Sequence, residues 1–237
     1  MLLVGRSYAE NNASTLPVLS GDVVTLNTPE GIRVGLWGTK VTYPAPTVFV
    51  FSATIEESLG DAYFRQSGNQ LADQGYLCVS LDLPGHGTDH RVDEPENLDA
   101  WRYRSDQGED FVAPFVSQAR QVLDYLIEAG YSDPTRIVAI GTSRGGFMAL
   151  QVAAVDARIR ATAAYAPVTN LMALRHFDGA PNEEFVAGLS LYGRAEGLAG
   201  RSLWLIIGPK GHTTPAGAPE KAAAWIAERL GRPIETE

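Results

Sequence analysis

Apolar and polar positions change rhythm several times along the chain, and each change marks an element. Residues 22–27 and 32–37 alternate around Pro29-Glu30-Gly31, which predicts an antiparallel hairpin. Beyond Pro44 and Pro46 the alternation gives way to nearly unbroken apolar runs at 47–53 and 76–81, separated by a helical stretch over 59–73. Strands buried on both faces and joined by a helix are how parallel βαβ units read. The polar, Pro- and Gly-rich segment 83–108 reads as a connection. Phe111, Phe115, Ala119, Val122, Leu123, Leu126 and Ile127 then recur at helical spacing, so a helix packs one face on the sheet. Strand 136–141, helix 144–156, strand 161–167 and strand 203–208 continue the alternation, while 168–200 has little β character. A last helix follows Pro219 and ends at Gly231, with Pro233 beyond it as a stop signal. The order predicts an α/β fold with a doubly wound, mostly parallel sheet opened by an antiparallel N-terminal hairpin.

At 237 residues and 45% hydrophobic content the chain can bury a sizeable core. No shift in composition divides it, so residues 1–237 are expected to form one domain. A net charge of −9 disfavours nucleic acid and anionic membrane surfaces, which need a positive footprint, and leaves a small molecule as the expected partner. Cys78 is the single cysteine; it lies inside the run 76–81 and is expected to be an inert buried thiol. The N-terminus Met1-Leu2-Leu3-Val4 has no basic residue before it, and no other run approaches membrane-spanning length. A soluble cytoplasmic protein is the expectation.

The most informative segment is 136–146, where an apolar strand runs into Gly141-Thr142-Ser143-Arg144-Gly145 and then into a helix. A serine hydroxyl is a weak nucleophile at neutral pH, so it needs a tight bend that exposes it to a base and to backbone donors. Gly-x-Ser-x-Gly alone is a weak signal; between a strand and a helix it makes Ser143 the candidate nucleophile. The alternative is a Gly-rich strand-helix turn carrying a passive serine. Arg144 offers a guanidinium beside the nucleophile that can pair with a substrate carboxylate, against the alternative of a solvent-facing or ion-paired arginine. The arginines at 102 and 104 can belong equally to a site wall or to exposed surface.

The antiparallel start, the βα alternation, the Gly-x-Ser-x-Gly turn and the loop Asp82-Leu83-Pro84-Gly85-His86-Gly87 together resemble the α/β-hydrolase family over about residues 20–231. The closest likeness is to small hydrolases of the dienelactone-hydrolase and prolyl-oligopeptidase-like type, which tend to carry a second glycine after the elbow, as Gly145-Gly146 does. The resemblance implies a serine hydrolase acting on a small carboxylic ester or related acyl compound, with no cofactor and no metal. It places the base at His212, in Gly211-His212 ahead of the last helix, and oxyanion donors at the backbone N–H groups of Arg144 and Thr54. His86 falls in the loop that the family uses structurally. It, His90 and His176 are expected to be unengaged. A metal reading of Asp82, His86, Asp89 and His90 fails because Gly85 and Gly87 stand where such loops need histidines.

The family pattern breaks after Gly208. An acid should follow the next-to-last strand, yet Pro209-Lys210-Gly211-His212 supplies none. Either a helix and a strand are missing near the C-terminus, or 203–208 is the last strand and an unrecognised one lies within 168–200; the first is favoured, and it leaves an exposed sheet edge, a route to homo-oligomers and a histidine without a carboxylate. Asp178 is the best remaining acid, ahead of Glu183, Glu184 and Glu196. Against the hydrolase stands a second reading, a hydrolase-fold protein with an incomplete triad that is weakly active or only binds a ligand. A peptidase is disfavoured because no N-terminal propeller domain is visible.

Overall fold

A computed structural model describes residues 16–209 and 211–231, so the expectations placed on Met1-Leu2-Leu3-Val4 and on Pro233 fall outside them. The hairpin forms as β1 (Val24–Asn27) and β2 (Arg33–Trp37), paired antiparallel with Val24 opposite Leu36. β3 (Ala45–Phe51) is buried along its whole length, as an apolar run enclosed on both faces must be.

The single helix expected over 59–73 is instead three short ones, α1 (Ile55–Gly60), α2 (Ala62–Arg65) and α3 (Gly68–Ala72). Thr54 starts the first by accepting a hydrogen bond from the Glu57 N–H at 3.1 Å, with Glu56 and Glu57 in the turn where the helix dipole favours negative charge. Asp61 ends α1 and caps α2 by accepting from the Tyr63 N–H at 2.8 Å. Gln66, at φ 47°, turns the chain into α3.

After β4 (Leu77–Ser80), segment 83–108 is more than a polar connection, because it carries α4 (Leu98–Asp106). Trp101 of α4 is fully buried, with ring centroids 4.9 Å from Phe111 and 5.6 Å from Phe147. The same inward stripe holds Arg104, paired with Glu94 at 2.7 Å and Asp89 at 2.6 Å, so a buried face reads as a polar one. Arg102 lies outside it and hydrogen-bonds Asp106 and the carbonyls of His176, Asp178 and Gly179.

The chain continues through α5 (Val112–Glu128), β5 (Ser132–Thr142), α6 (Arg144–Val155) and β6 (Ile159–Tyr165). Between β6 and the next strand come only α7 (Glu183–Leu189), α8 (Ala195–Leu198) and single 3-10 turns. β7 (Ser202–Ile206) and α9 (Ala218–Leu230) complete the described chain. The strand order is β1-β2-β4-β3-β5-β6-β7, parallel from β4 onward. One face is covered by α5 and α6, with Phe49, Phe51 and Phe147 in its core; α1 to α3 and α9 cover the other, with Val138, Ile140 and Ile226. Cys78 lies in that second core, where burial pushes its thiol up to about 12.

β7 pairs with β6 alone, and among the described residues nothing pairs with its outer edge. Trp204 turns inward, its ring 5.7 Å from that of Trp225 on α9, whereas Leu205 and Ile207 stand 53% and 63% exposed. The chain then passes straight from β7 to α9 through a tight loop closed by an antiparallel bridge between Gly208 and Gly211. No helix among the described residues is long and apolar enough to cross a membrane.

Candidate active site

The parallel register brings Phe51, Gly141, Ala164 and Leu205 side by side at the carboxyl ends of their strands, which is where open α/β sheets place their ligand crevice. Ser143 stands one residue past β5, at φ 57° and ψ −118°. A non-glycine residue there carries about 1–3 kcal/mol of strain and persists only where its surroundings impose it. They do so here: the Ser143 N–H donates to Tyr165 O at 2.9 Å, and its carbonyl accepts from the N–H groups of Phe147 at 3.0 Å and Val168 at 3.2 Å. A Cβ on Gly145 would overlap the Phe51 carbonyl, and one on Gly141 would overlap the backbone of Gly145. Both glycines are therefore required for β5 and α6 to approach this closely.

Ser143 opens into a crevice of about 290 Å³. Ser52, Glu57 and Arg144 line it on the β3 side, the Tyr63 and Phe64 rings give it an apolar wall, and Ala166 and His212 line it on the β7 side. His212 is exposed at the rim, on the loop held by the Gly208 N–H to Thr213 O bond at 2.8 Å. Gln66 links this loop to the elbow, its Nε2 donating to Thr142 Oγ1 at 3.2 Å and to Thr214 Oγ1 at 3.3 Å. Ser143, Arg144 and His212 thus come together. Glu57, Tyr63, Phe64 and Gln66 are the site residues that sequence reasoning missed; Thr54-Ile55-Glu56-Glu57 has the spacing of a capping box and was the one local signal that a helix starts there. The Glu57 carboxylate accepts from Ser52 Oγ instead of closing that box.

Two predicted residues lie away from the crevice. Asp178 is exposed, its carbonyl held by Arg102 of α4 at 2.9 Å; it does not line the crevice, and the structure does not bring it to His212. Glu183, Glu184 and Glu196 are exposed on α7 and α8. Among the described residues the one histidine within ion-pair distance of a carboxylate is His176, 2.8 Å from Asp99, so His176 is engaged where an idle side chain was expected. Thr54 does not line the crevice; its side chain caps α1.

His86 is also engaged, its Nδ1 2.8 Å from the Pro84 carbonyl while its Nε2 is buried without a partner. Burial, and after it the charge of Arg144, pull its imidazole below the ordinary range. Asp82 holds the same loop, accepting from the N–H groups of Ile55 at 2.8 Å and Thr88 at 3.0 Å. No group of three His, Cys, Asp or Glu among the described residues is placed to hold a metal ion.

The family model for the alpha/beta hydrolase family matches residues 35–233. The chain belongs to the alpha/beta hydrolase family. Among solved structures it is similar to an acetyl xylan esterase from Paenibacillus sp. R4, with 16% identity and a TM-score of 0.62 over 88% of this chain and 83% of that one. An S-formylglutathione hydrolase from Agrobacterium tumefaciens matches with 17% identity and a TM-score of 0.56, covering 88% of this alpha/beta hydrolase and 95% of that chain. An acylaminoacyl peptidase from Pyrococcus horikoshii matches with 13% identity and a TM-score of 0.59, over 94% of this chain and 44% of that one. At these identities the likeness is one of fold. A comparison with curated proteins finds no match.

Proposed function

We propose that this alpha/beta hydrolase cleaves small carboxylic esters through an acyl-enzyme on Ser143. The observation that carries the reading is the strained Ser143 backbone at the head of α6, which lifts the hydroxyl into the crevice that His212 also lines. In this mechanism His212 takes the proton from Ser143 Oγ as the oxygen attacks the ester carbonyl. It then returns the proton to the departing alcohol, and water releases the acyl group by the same route. The oxyanion is held by the N–H of Arg144, at the first turn of α6, and by one N–H of the turn after β3. In that turn the Ser52 N–H already donates to Ser58 Oγ at 3.0 Å and the Ile55 N–H to Asp82 Oδ1 at 2.8 Å. That leaves the N–H groups of Ala53 and Thr54, next in the chain to the crevice-lining Ser52, as the two from which the second donor comes. A crevice of about 290 Å³ is at the small end of ligand-sized pockets, which favours a small acyl group.

The second reading, a weakly active or purely binding member of the family, draws on the lack of a carboxylate beside His212 among the described residues. Loss of the orienting acid costs up to about 10⁴ in kcat in a serine triad, while the oxyanion hole and binding keep part of the rate. One experiment separates the two. A fluorophosphonate should add its phosphonyl group to the wild-type protein, seen by intact mass, and none to Ser143→Ala. A protein that stays unlabelled, or that is labelled equally after the substitution, would leave the binding reading standing.

A further inference from the structure

Arg144 is under-coordinated for its position. It is partly buried and lines the crevice beside Ser143, yet its guanidinium makes two long hydrogen bonds to neutral acceptors, Ser52 O at 3.3 Å and Asn97 Oδ1 at 3.2 Å. Among the described residues its second terminal nitrogen has no protein partner and the guanidinium forms no ion pair with a carboxylate. Three other enclosed arginines are better satisfied. Arg104 has Glu94 and Asp89, Arg158 has Asp156 and Asp124, and Arg65, which lacks a carboxylate, has the Leu59 carbonyl, Asn69 Oδ1 and the Trp37 ring 4.1 Å away. Glu57 reaches Arg144 only through its field, because its carboxylate is held by Ser52 Oγ. Burial pulls the Arg144 guanidinium below its ordinary value, and the field of Glu57 opposes that pull.

We infer that Arg144 binds a carboxylate at the far end of the substrate's acyl group, so that the substrate is a monoester of a small dicarboxylic acid. This rests on the proposed ester hydrolysis for the reaction but on Arg144 itself for the recognition. A guanidinium with free N–H donors matches a planar carboxylate in a forked, two-point contact. Geometry assigns the charge to the acyl side. Arg144 is tied to the end of β3, where the second oxyanion donor lies, whereas His212, which must reach the leaving alcohol, comes from the β7 side. A net charge of −9 repels polyanions at a distance, which favours a single negative group recognised at close range.

The test compares mono-p-nitrophenyl glutarate with p-nitrophenyl butyrate, whose acyl chains differ by the terminal carboxylate. Wild type should favour the glutarate by about tenfold or more in kcat/KM, the size of a charge-assisted contact, and Arg144→Gln should bring that ratio close to 1. Arg144→Lys, which keeps the charge and loses the fork, should fall between. Equal use of both esters by wild type, or a ratio unchanged in Arg144→Gln, would overturn the inference. Binding is read separately by calorimetry with monomethyl glutarate on Ser143→Ala. Binding that is lost in Ser143→Ala/Arg144→Gln supports the carboxylate site even if neither ester is turned over, in which case it is the hydrolase reading that fails. Millimolar monomethyl glutarate that does not bind, or binds both proteins alike, overturns the carboxylate site.

Discussion

Arg104→Met should be among the most damaging substitutions outside the elbow, although it touches nothing that reacts. Arg104 is 2% exposed and Glu94 7%; they share a two-point contact at 2.8 and 2.7 Å, and Arg104 also donates to the Asp89 carbonyl at 2.8 Å. Removing one partner of a buried pair strands the other charge, at a cost of about 3–5 kcal/mol. For a chain of this length that corresponds to a fall in Tm of about 6–20 °C. Arg91 and Glu109, in the same segment, form an internal control, since their side chains are 53% and 37% exposed. Arg91→Ala should cost about 0–1 kcal/mol. Glu94→Leu/Arg104→Met should lose less than either single change, because it removes both buried charges and leaves Asp89 near solvent.

The acid dependence has a fixed sign. Burial alone would raise the Glu94 carboxyl, but hydrogen bonds from Arg104 and the Arg91 N–H outweigh it and hold the group below the usual range. Its contribution is therefore complete above the unfolded value near 4.3 and is lost as pH falls through the lower folded value. The difference between wild type and Glu94→Leu should shrink below about pH 4. Urea unfolding followed by tryptophan fluorescence is the assay, with Trp101 in the same segment as reporter. If Arg104→Met costs no more than Arg91→Ala, the reasoning is wrong.

Three further outcomes are expected. Ser143→Gly should abolish fluorophosphonate labelling and stabilise the fold by about 1–3 kcal/mol in urea, because glycine adopts the elbow conformation without strain; no gain would show that the backbone stores none. Cys78, its thiol raised to about 12 in the second core, should react with a disulfide reagent only at the rate of global unfolding, and rapid native-state labelling would contradict that placement. Leu205→Lys/Ile207→Lys should lower any concentration-dependent association seen by sedimentation velocity, since charge on an edge strand opposes pairing with another chain; association that persists would move the contact elsewhere.

The parts of the fold legible in the sequence are those that carry their own signal. Strands 47–53 and 76–81 are apolar on both faces because they are buried on both, and Ser143 is bracketed by the glycines its bend requires. Segment 83–108 was opaque for the opposite reason. The inward face of α4 includes Arg104, whose charge is cancelled only by Glu94 and Asp89 in three dimensions, so its hydropathy looks like surface. Gln66 was equally hidden, because joining Thr142 to Thr214 is a property of tertiary contact and leaves no local pattern. Between Gly208 and His212 the sequence holds no acidic residue, and Asp178, chosen for its place after strand 161–167, is turned to Arg102 by tertiary contacts that leave no local pattern.

The free side of β7 has a further consequence, for how such a sheet can be enlarged. On one side of β3 lie β5, β6 and β7 in that order, with β6 and β7 each laid against the strand before it in the chain, so this half of the sheet grows by accretion at one margin. Among the described residues that margin is open, and the loop joining β7 to α9 lies at the surface and carries His212. A helix and strand inserted there would disturb no existing strand pairing and would deliver its first turn to the neighbourhood of the histidine. Among the described residues the molecule is in this sense a scaffold with a building position beside β7 on which an acid could be added next to His212 and its worth measured.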